Sequence, residues 1–156
     1  MSHTVYQTGP VFSQSEKDFH GKIAAALRAA GDTVVWSGGL IPDSRFAAAG
    51  ADVAPLVFTA RKQAIDRCTC VVALLDGSQT DGDAAWDIGY AHARGLPIYG
   101  IRTDSRMAGA TGRRRGDAMI AGCLAGFAEN IKDLVKLIHD VPQADKVVDE
   151  AARRGW

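Results

Sequence analysis

This sequence has no excess charge of either sign. Its 18 lysines and arginines are matched by 18 aspartates and glutamates. A partner held through bulk charge is therefore not expected, whether a nucleic-acid polymer or an anionic membrane. Little net repulsion opposes self-association. Cysteine is scarce: Cys68, Cys70 and Cys123 are the whole supply. One residue between Cys68 and Cys70 is too tight for the usual zinc and redox spacings, and no second pair completes a metal site. Buried free thiols in a reducing compartment are the expectation. No histidine stands at metal spacing from a cysteine or carboxylate, so no metal ligand is assigned. The N-terminal residues lack the basic-then-apolar pattern of a secretory signal. No apolar run approaches a membrane span. The reading is a cytoplasmic protein without membrane contact. G-x-G-x-x-G, the P-loop lysine and serine, and a G-x-S-x-G elbow are also missing. So are internal repeats and low-complexity tracts.

What is there suits one compact domain over 1–156. The chain is 47% hydrophobic and 23% charged, enough for an ordinary core. Thr4 to Gln7 reads as a strand, broken by "TGPVFSQSE". Ser13 and Glu16 have capping-box spacing, and Phe19, Ile23 and Leu27 fall on one face of a helix reaching about Ala30, which Gly31 ends. Thr33 to Trp36 is a second β-rich run. The stretch 37–55 is Gly/Ala-rich and long for a connection, as functional or mobile segments are. A helix over Leu56 to Arg67 precedes "CVVALLD", a continuous apolar run fit for a strand covered on both faces. A further helix begins near Asp83, and "PIYGI" is a fourth strand. Asp117 to Leu124 and Asn130 to His139 are read as helices with a short strand between. A last helix is placed over Ala144 to Arg153, a C-terminal helical extension from about 141. Alternating strands and helices predict an α/β, doubly wound parallel sheet of about five strands, with helices on both faces.

In such sheets ligands bind beyond the carboxyl ends of the strands. The loops "TGPVF", "DGSQTDGDAA" and "RTDSR…RRRG" all follow predicted strands and so share one rim. The second is rich in acid: Asp76, Asp81, Asp83 and Asp87. Asp83 reads as a helix N-cap, and Asp87 projects from the first turns, where the helix dipole favours negative charge. Cap and turn roles are one reading of these acids. A nucleophile or base in a rim cleft is the other. Arg113, Arg114 and Arg115 form either a solvated loop or an anion site. Gly9-Pro10 is a tight turn that also lets backbone approach a ligand.

Three fragments together carry a resemblance: "VYQTGPVFSQSEKDF", "VVALLDGSQTDGDAAWDIGYAHARGLPIYGIRTDSR" and "AMIAGCL". They resemble the nucleoside 2-deoxyribosyltransferases and related deoxynucleotide N-glycosidases over most of residues 4–140. The resemblance implies a flavodoxin-like sheet and a role in nucleotide salvage, with deoxynucleoside and free nucleobase as partners and no cofactor. It implies a double displacement. A carboxylate attacks the anomeric carbon and the base leaves, then a second base or water takes the sugar. It also implies a homo-oligomer with shared active sites. By position in the family pattern, Asp87 matches the nucleophile, Tyr6 the tyrosine that orients it, and Asp81 the acid that contacts the leaving base. Gly9 and Phe12 match the turn lining the base pocket, Gly89 belongs to the same helix motif, and Asp117, two before Met119, matches a residue donated across the subunit interface. The chain departs from the pattern at three positions. Asp87 replaces the usual glutamate, Asp117 an asparagine, and Cys70 a frequent aspartate. Base-exchanging transfer is the expected activity. Hydrolysis of deoxynucleoside 5′-monophosphates and a non-catalytic nucleotide-binding domain are the alternatives.

Overall fold

A computed structural model describes residues 1–104 and 118–140. Five parallel strands form its centre: β1 (Thr4–Thr8), β2 (Thr33–Trp36), β3 (Cys70–Leu74), β4 (Ile98–Ile101) and β5 (Gly126–Ala128), in the order β2-β1-β3-β4-β5. All ladders are parallel, with Tyr6 opposite Val35 on one side and Val71 on the other. Helices α1 (Gln14–Ala29), α2 (Asp43–Ala49), α3 (Val53–Asp66), α4 (Gly82–Ala93), α5 (Ala118–Cys123) and α6 (Ile131–Asp140) connect or follow them. This is the doubly wound α/β arrangement that the alternation predicts, in the flavodoxin-like order that the resemblance implies.

Strand periodicity sorts the core into two layers. Val5, Val72 and Leu74 pack against Ile23 and Leu27 of α1 and Leu134 and Ile138 of α6. Tyr6, Val71 and Ala73 pack on the opposite side against Ile65 of α3, Ile88 and Ala91 of α4, and Ile120 of α5. Every residue of β3 is buried, as expected for an apolar run covered on both faces. Cys68 and Cys70 are buried free thiols, pushed up to about 11 and about 12 by desolvation, and Cys123 is half-buried.

Helix α1 carries the expected capping box. Ser13 Oγ accepts from Glu16 N at 3.2 Å, and Glu16 Oε2 accepts from Ser13 N at 2.7 Å. Two local expectations are corrected. The stretch 37–55 is mostly helical, with short 3-10 turns at Ser37–Gly39 and Gly50–Asp52 flanking α2. Pro42 suits the start of α2, and the alanines that follow favour helix. The N-cap of α4 is Asp81 rather than Asp83: its side chain accepts from Ala84 N at 3.3 Å. The expected helix at 144–153, the extension from about 141, Arg113–Arg115 and Asp117 lie outside the described residues.

Candidate active site

The strand order reverses between β1 and β3, so their connections leave to opposite faces and open a crevice at the carboxyl end. Tyr6 and Thr8, two apart on β1, face the same side of the sheet there. Helix α4 enters over that side, and its residue Asp87 is fully buried. A buried carboxylate must be paired, and Asp87 is. Its Oδ2 accepts from the Tyr6 hydroxyl at 3.0 Å, the Thr8 hydroxyl at 2.7 Å and Arg61 Nη2 at 2.5 Å. Its Oδ1 accepts from Arg61 Nε at 3.2 Å.

Arg61 reaches this carboxylate from α3. Its Nη2 also lies 3.4 Å from the Thr8 hydroxyl, and its Nη1 lies 3.4 Å from Oδ2 of Asp83. Asp83 and Asp87 are four apart and share one face of α4, so one guanidinium meets both. Burial alone would lower the Arg61 pKa, but the hydrogen bond and charge of Asp87 outweigh it and raise the value. Burial pushes the Tyr6 phenol far up, and the neighbouring Asp87 charge adds to the shift. Tyr6 is thus a protonated donor throughout the ordinary pH range.

The turn after β1 is built from below. Gly9 has φ of 141°, and a Cβ there would fall 2.8 Å from both the Cβ and the carbonyl oxygen of Leu74. Only glycine fits, because the turn lies directly on the end of β3. His20 of α1 braces the same turn. Its Nε2 is 3.0 Å from the Pro10 carbonyl, and its Nδ1 is 2.8 Å from Gln7 Nε2, which also donates to the His20 carbonyl at 2.9 Å. This pattern requires the proton on Nε2 and an accepting Nδ1. Burial lowers the His20 pKa, in keeping with a neutral ring.

The loops after β3 and β4 are locked together. Asp76 accepts from Thr103 N at 2.6 Å, Thr103 Oγ1 at 2.7 Å and Asp104 N at 3.2 Å. Asp104 accepts from Gly77 N at 2.6 Å, and Arg102 donates to the Gly77 carbonyl. Asp76 is therefore a brace between loops.

Of the residues singled out from the sequence, Tyr6 and Asp87 are in direct contact. Asp81 stands at the head of the same helix, half-buried, with its carboxylate on the backbone of Ala84. Gly9 lies in the buried turn, and Phe12 just beyond it is 78% exposed. Gly89 lies on the exposed side of α4, where a Cβ would meet nothing. Met119 is 79% exposed on α5. Tyr90 stacks on Trp86 and donates to Asp66 at 2.7 Å, on the seam between α3 and α4. Sequence reasoning missed Thr8 and Arg61. The signal for Thr8 was its period-two relation to Tyr6. For Arg61 it was a charge at four-residue spacing from buried Ile65, on the inward face of an otherwise amphipathic helix. Among the described residues no cluster of histidine, cysteine and carboxylates could hold a metal ion, and no helix is long and apolar enough to cross a membrane.

The five-stranded parallel sheet in the order β2-β1-β3-β4-β5 places the chain in the flavodoxin-like class of α/β folds. The family model described as nucleoside 2-deoxyribosyltransferase matches residues 5–133, and the chain belongs to that family. No curated protein sequence matches it. Among solved structures, the fold is similar to that of a 2-deoxyribosyltransferase from Bacillus psychrosaccharolyticus, at 18% identity and TM-score 0.70, covering 93% of this chain and 94% of that one. A 2-deoxyribosyltransferase from Leishmania mexicana is similar at 19% identity and TM-score 0.64, covering 88% and 99%. A CMP N-glycosidase from Clostridium botulinum is similar at 15% identity and TM-score 0.54, covering 86% and 96%.

Proposed function

We propose that the protein cleaves the N-glycosidic bond of a 2′-deoxynucleoside and transfers the deoxyribosyl group to another base. Asp87 is the nucleophile. An oxygen of its carboxylate forms a bond to the anomeric carbon while the carbon–nitrogen bond breaks. The bonding pair leaves on the base nitrogen, which takes a proton from the carboxyl group of Asp81. A second base then attacks the same carbon, gives its own proton to the Asp81 carboxylate and releases Asp87. Dividing one substitution into two easier ones is the gain of such a covalent route. Tyr6, a protonated donor, orients the carboxylate, with Thr8 beside it. Gly9, Phe12, Gly89, Met119 and Asp117 are assigned to the substrate pocket. A homo-oligomer with shared sites fits the large apolar side chains Phe12 and Met119, which a single chain leaves exposed.

One observation carries this reading: Asp87 is buried at the switch point with Tyr6 and Thr8 both donating to it. Chromatography of a deoxynucleoside with a different free base, for wild type and Asp87→Ala in parallel, tests it. The expected result is a new nucleoside formed by wild type alone. Free base without a new nucleoside would identify a hydrolase, and deoxynucleoside 5′-monophosphates would then be compared as substrates. Full base exchange by Asp87→Ala would refute the assignment of the nucleophile.

A further inference from the structure

The carboxylate of Asp87 is closed in the structure described above. Its side chain has no exposed surface, and Arg61 lies against both oxygens. Attack on a sugar carbon needs an approach of about 3–3.5 Å along a free lone pair. The two oxygens differ in how they are held. Oδ2 has three donors, and two of them, Tyr6 and Thr8, come from β1. Oδ1 has a single partner, Arg61 Nε. Withdrawing Arg61 would therefore free Oδ1 completely while Oδ2 stayed anchored by two hydroxyls.

Arg61 is also the donor free to move. Tyr6 and Thr8 are fully buried in a strand paired on both sides, so displacing them breaks the sheet. Arg61 sits on an outer helix at the end of a long side chain that is 16% exposed. A second acceptor is already within reach. Asp83, 69% exposed, lies 3.4 Å from Nη1, one helical turn toward the N-terminus of α4. A swing outward keeps the guanidinium paired at every stage.

Building on the reading of Asp87 as nucleophile, we propose that Arg61 is a movable counter-ion that closes Asp87 in the resting protein and passes to Asp83 when the sugar occupies its place. Arg61 is a positioning residue in this scheme. Oδ1 is the oxygen that bonds to the anomeric carbon as the carbon–nitrogen bond breaks, and the bonding pair leaves on the base nitrogen, which takes its proton from the carboxyl group of Asp81. The charge balance favours the exchange at the right moment. Glycosyl transfer passes through an oxocarbenium-like state, so positive charge develops on the sugar where the guanidinium had been. The buried carboxylate trades one cation for another and binds the transition state more strongly than the neutral ground state. The short side chain at position 87 fits the same scheme. A glutamate would carry its carboxylate about 1.5 Å further, into the space the guanidinium fills.

Substitutions at Asp83 and Arg61 and one trapped complex test the gate. When a competent state is only partly populated, apparent affinity falls in proportion to that population. Asp83→Ala removes the outer resting place, so KM should rise about fivefold or more with kcat within about twofold. Arg61→Ala removes the gate, so KM should fall, and Arg61→Lys should lie between it and wild type. If Arg61→Ala does not fold, the Asp83→Ala result decides. A 2′-deoxy-2′-fluoroarabinosyl nucleoside slows the second step, because fluorine disfavours positive charge on the sugar. In a crystal of the adduct, the sugar should be bonded to Oδ1 of Asp87 and Arg61 should contact Asp83 alone. Unchanged KM in Asp83→Ala, or an adduct with Arg61 still on Asp87, would overturn the gate and leave the nucleophile in place. Steady turnover without any adduct on Asp87 by mass spectrometry, together with activity in Asp87→Ala, would overturn the nucleophile and the gate with it.

Discussion

Asp87 sits among four hydrogen bonds from three side chains, and each donor has a separable role. Removing the Tyr6 hydroxyl takes away one bond to a charged group, worth about 1.5–3 kcal/mol. Tyr6→Phe should therefore lower kcat by roughly tenfold to a hundredfold and also lower the melting temperature by several degrees, since the same bond holds the folded state. Steady-state kinetics beside thermal melting would show it. A fully active Tyr6→Phe would remove the tyrosine from the mechanism. His20 makes a different prediction. Its folded-state pKa is lowered by burial, so below the ordinary value of 6.5 the unfolded chain takes up a proton that the folded chain refuses. The stability this group contributes is full above pH 6.5 and is lost as pH falls from there toward the lower folded value. The slope is at most about 1.4 kcal/mol per pH unit. Urea unfolding of wild type and His20→Gln across this range should give a steeper acid loss for wild type; parallel curves would contradict it.

At the scale of elements, the site depends on how firmly two helices are held. Helix α1 carries His20 under the Gly9-Pro10 turn, and its start is secured by the Ser13/Glu16 capping box. Ser13→Ala should cost about 1 kcal/mol by chemical denaturation. Because the cap lies seven residues from His20, kcat should be unchanged; a kinetic effect would mean that the turn shifts with the helix end. Helix α4 carries Asp87, and its cap is Asp81, the residue assigned to the leaving base. One carboxylate thus starts the helix at the end of the loop after β3. The cap of α1 was legible because both partners lie within four residues. The cap of α4 was misplaced because Asp81 and Asp83 are both good capping residues, and only the path of the chain leaving β3 decides between them.

For the whole molecule, the exposure of Phe12 and Met119 leaves apolar surface for another subunit. Equilibrium sedimentation should give a homo-oligomer at micromolar concentration. A fully active monomer would contradict a shared site. The composition, the alternation of apolar runs and the local caps determined the α/β class, the parallel sheet and the rim on which the loops meet. These are short-range properties, set by periodicity and by neighbours along the chain. The family resemblance pairs Tyr6 with Asp87. Only the tertiary structure decided that Arg61 closes Asp87. Position 61 is 26 residues from position 87. Its four-residue spacing from Ile65 marks the inward face of α3, but not the partner it meets there. That choice is made when α3 and α4 pack on the same face of the sheet and a buried carboxylate needs a cation.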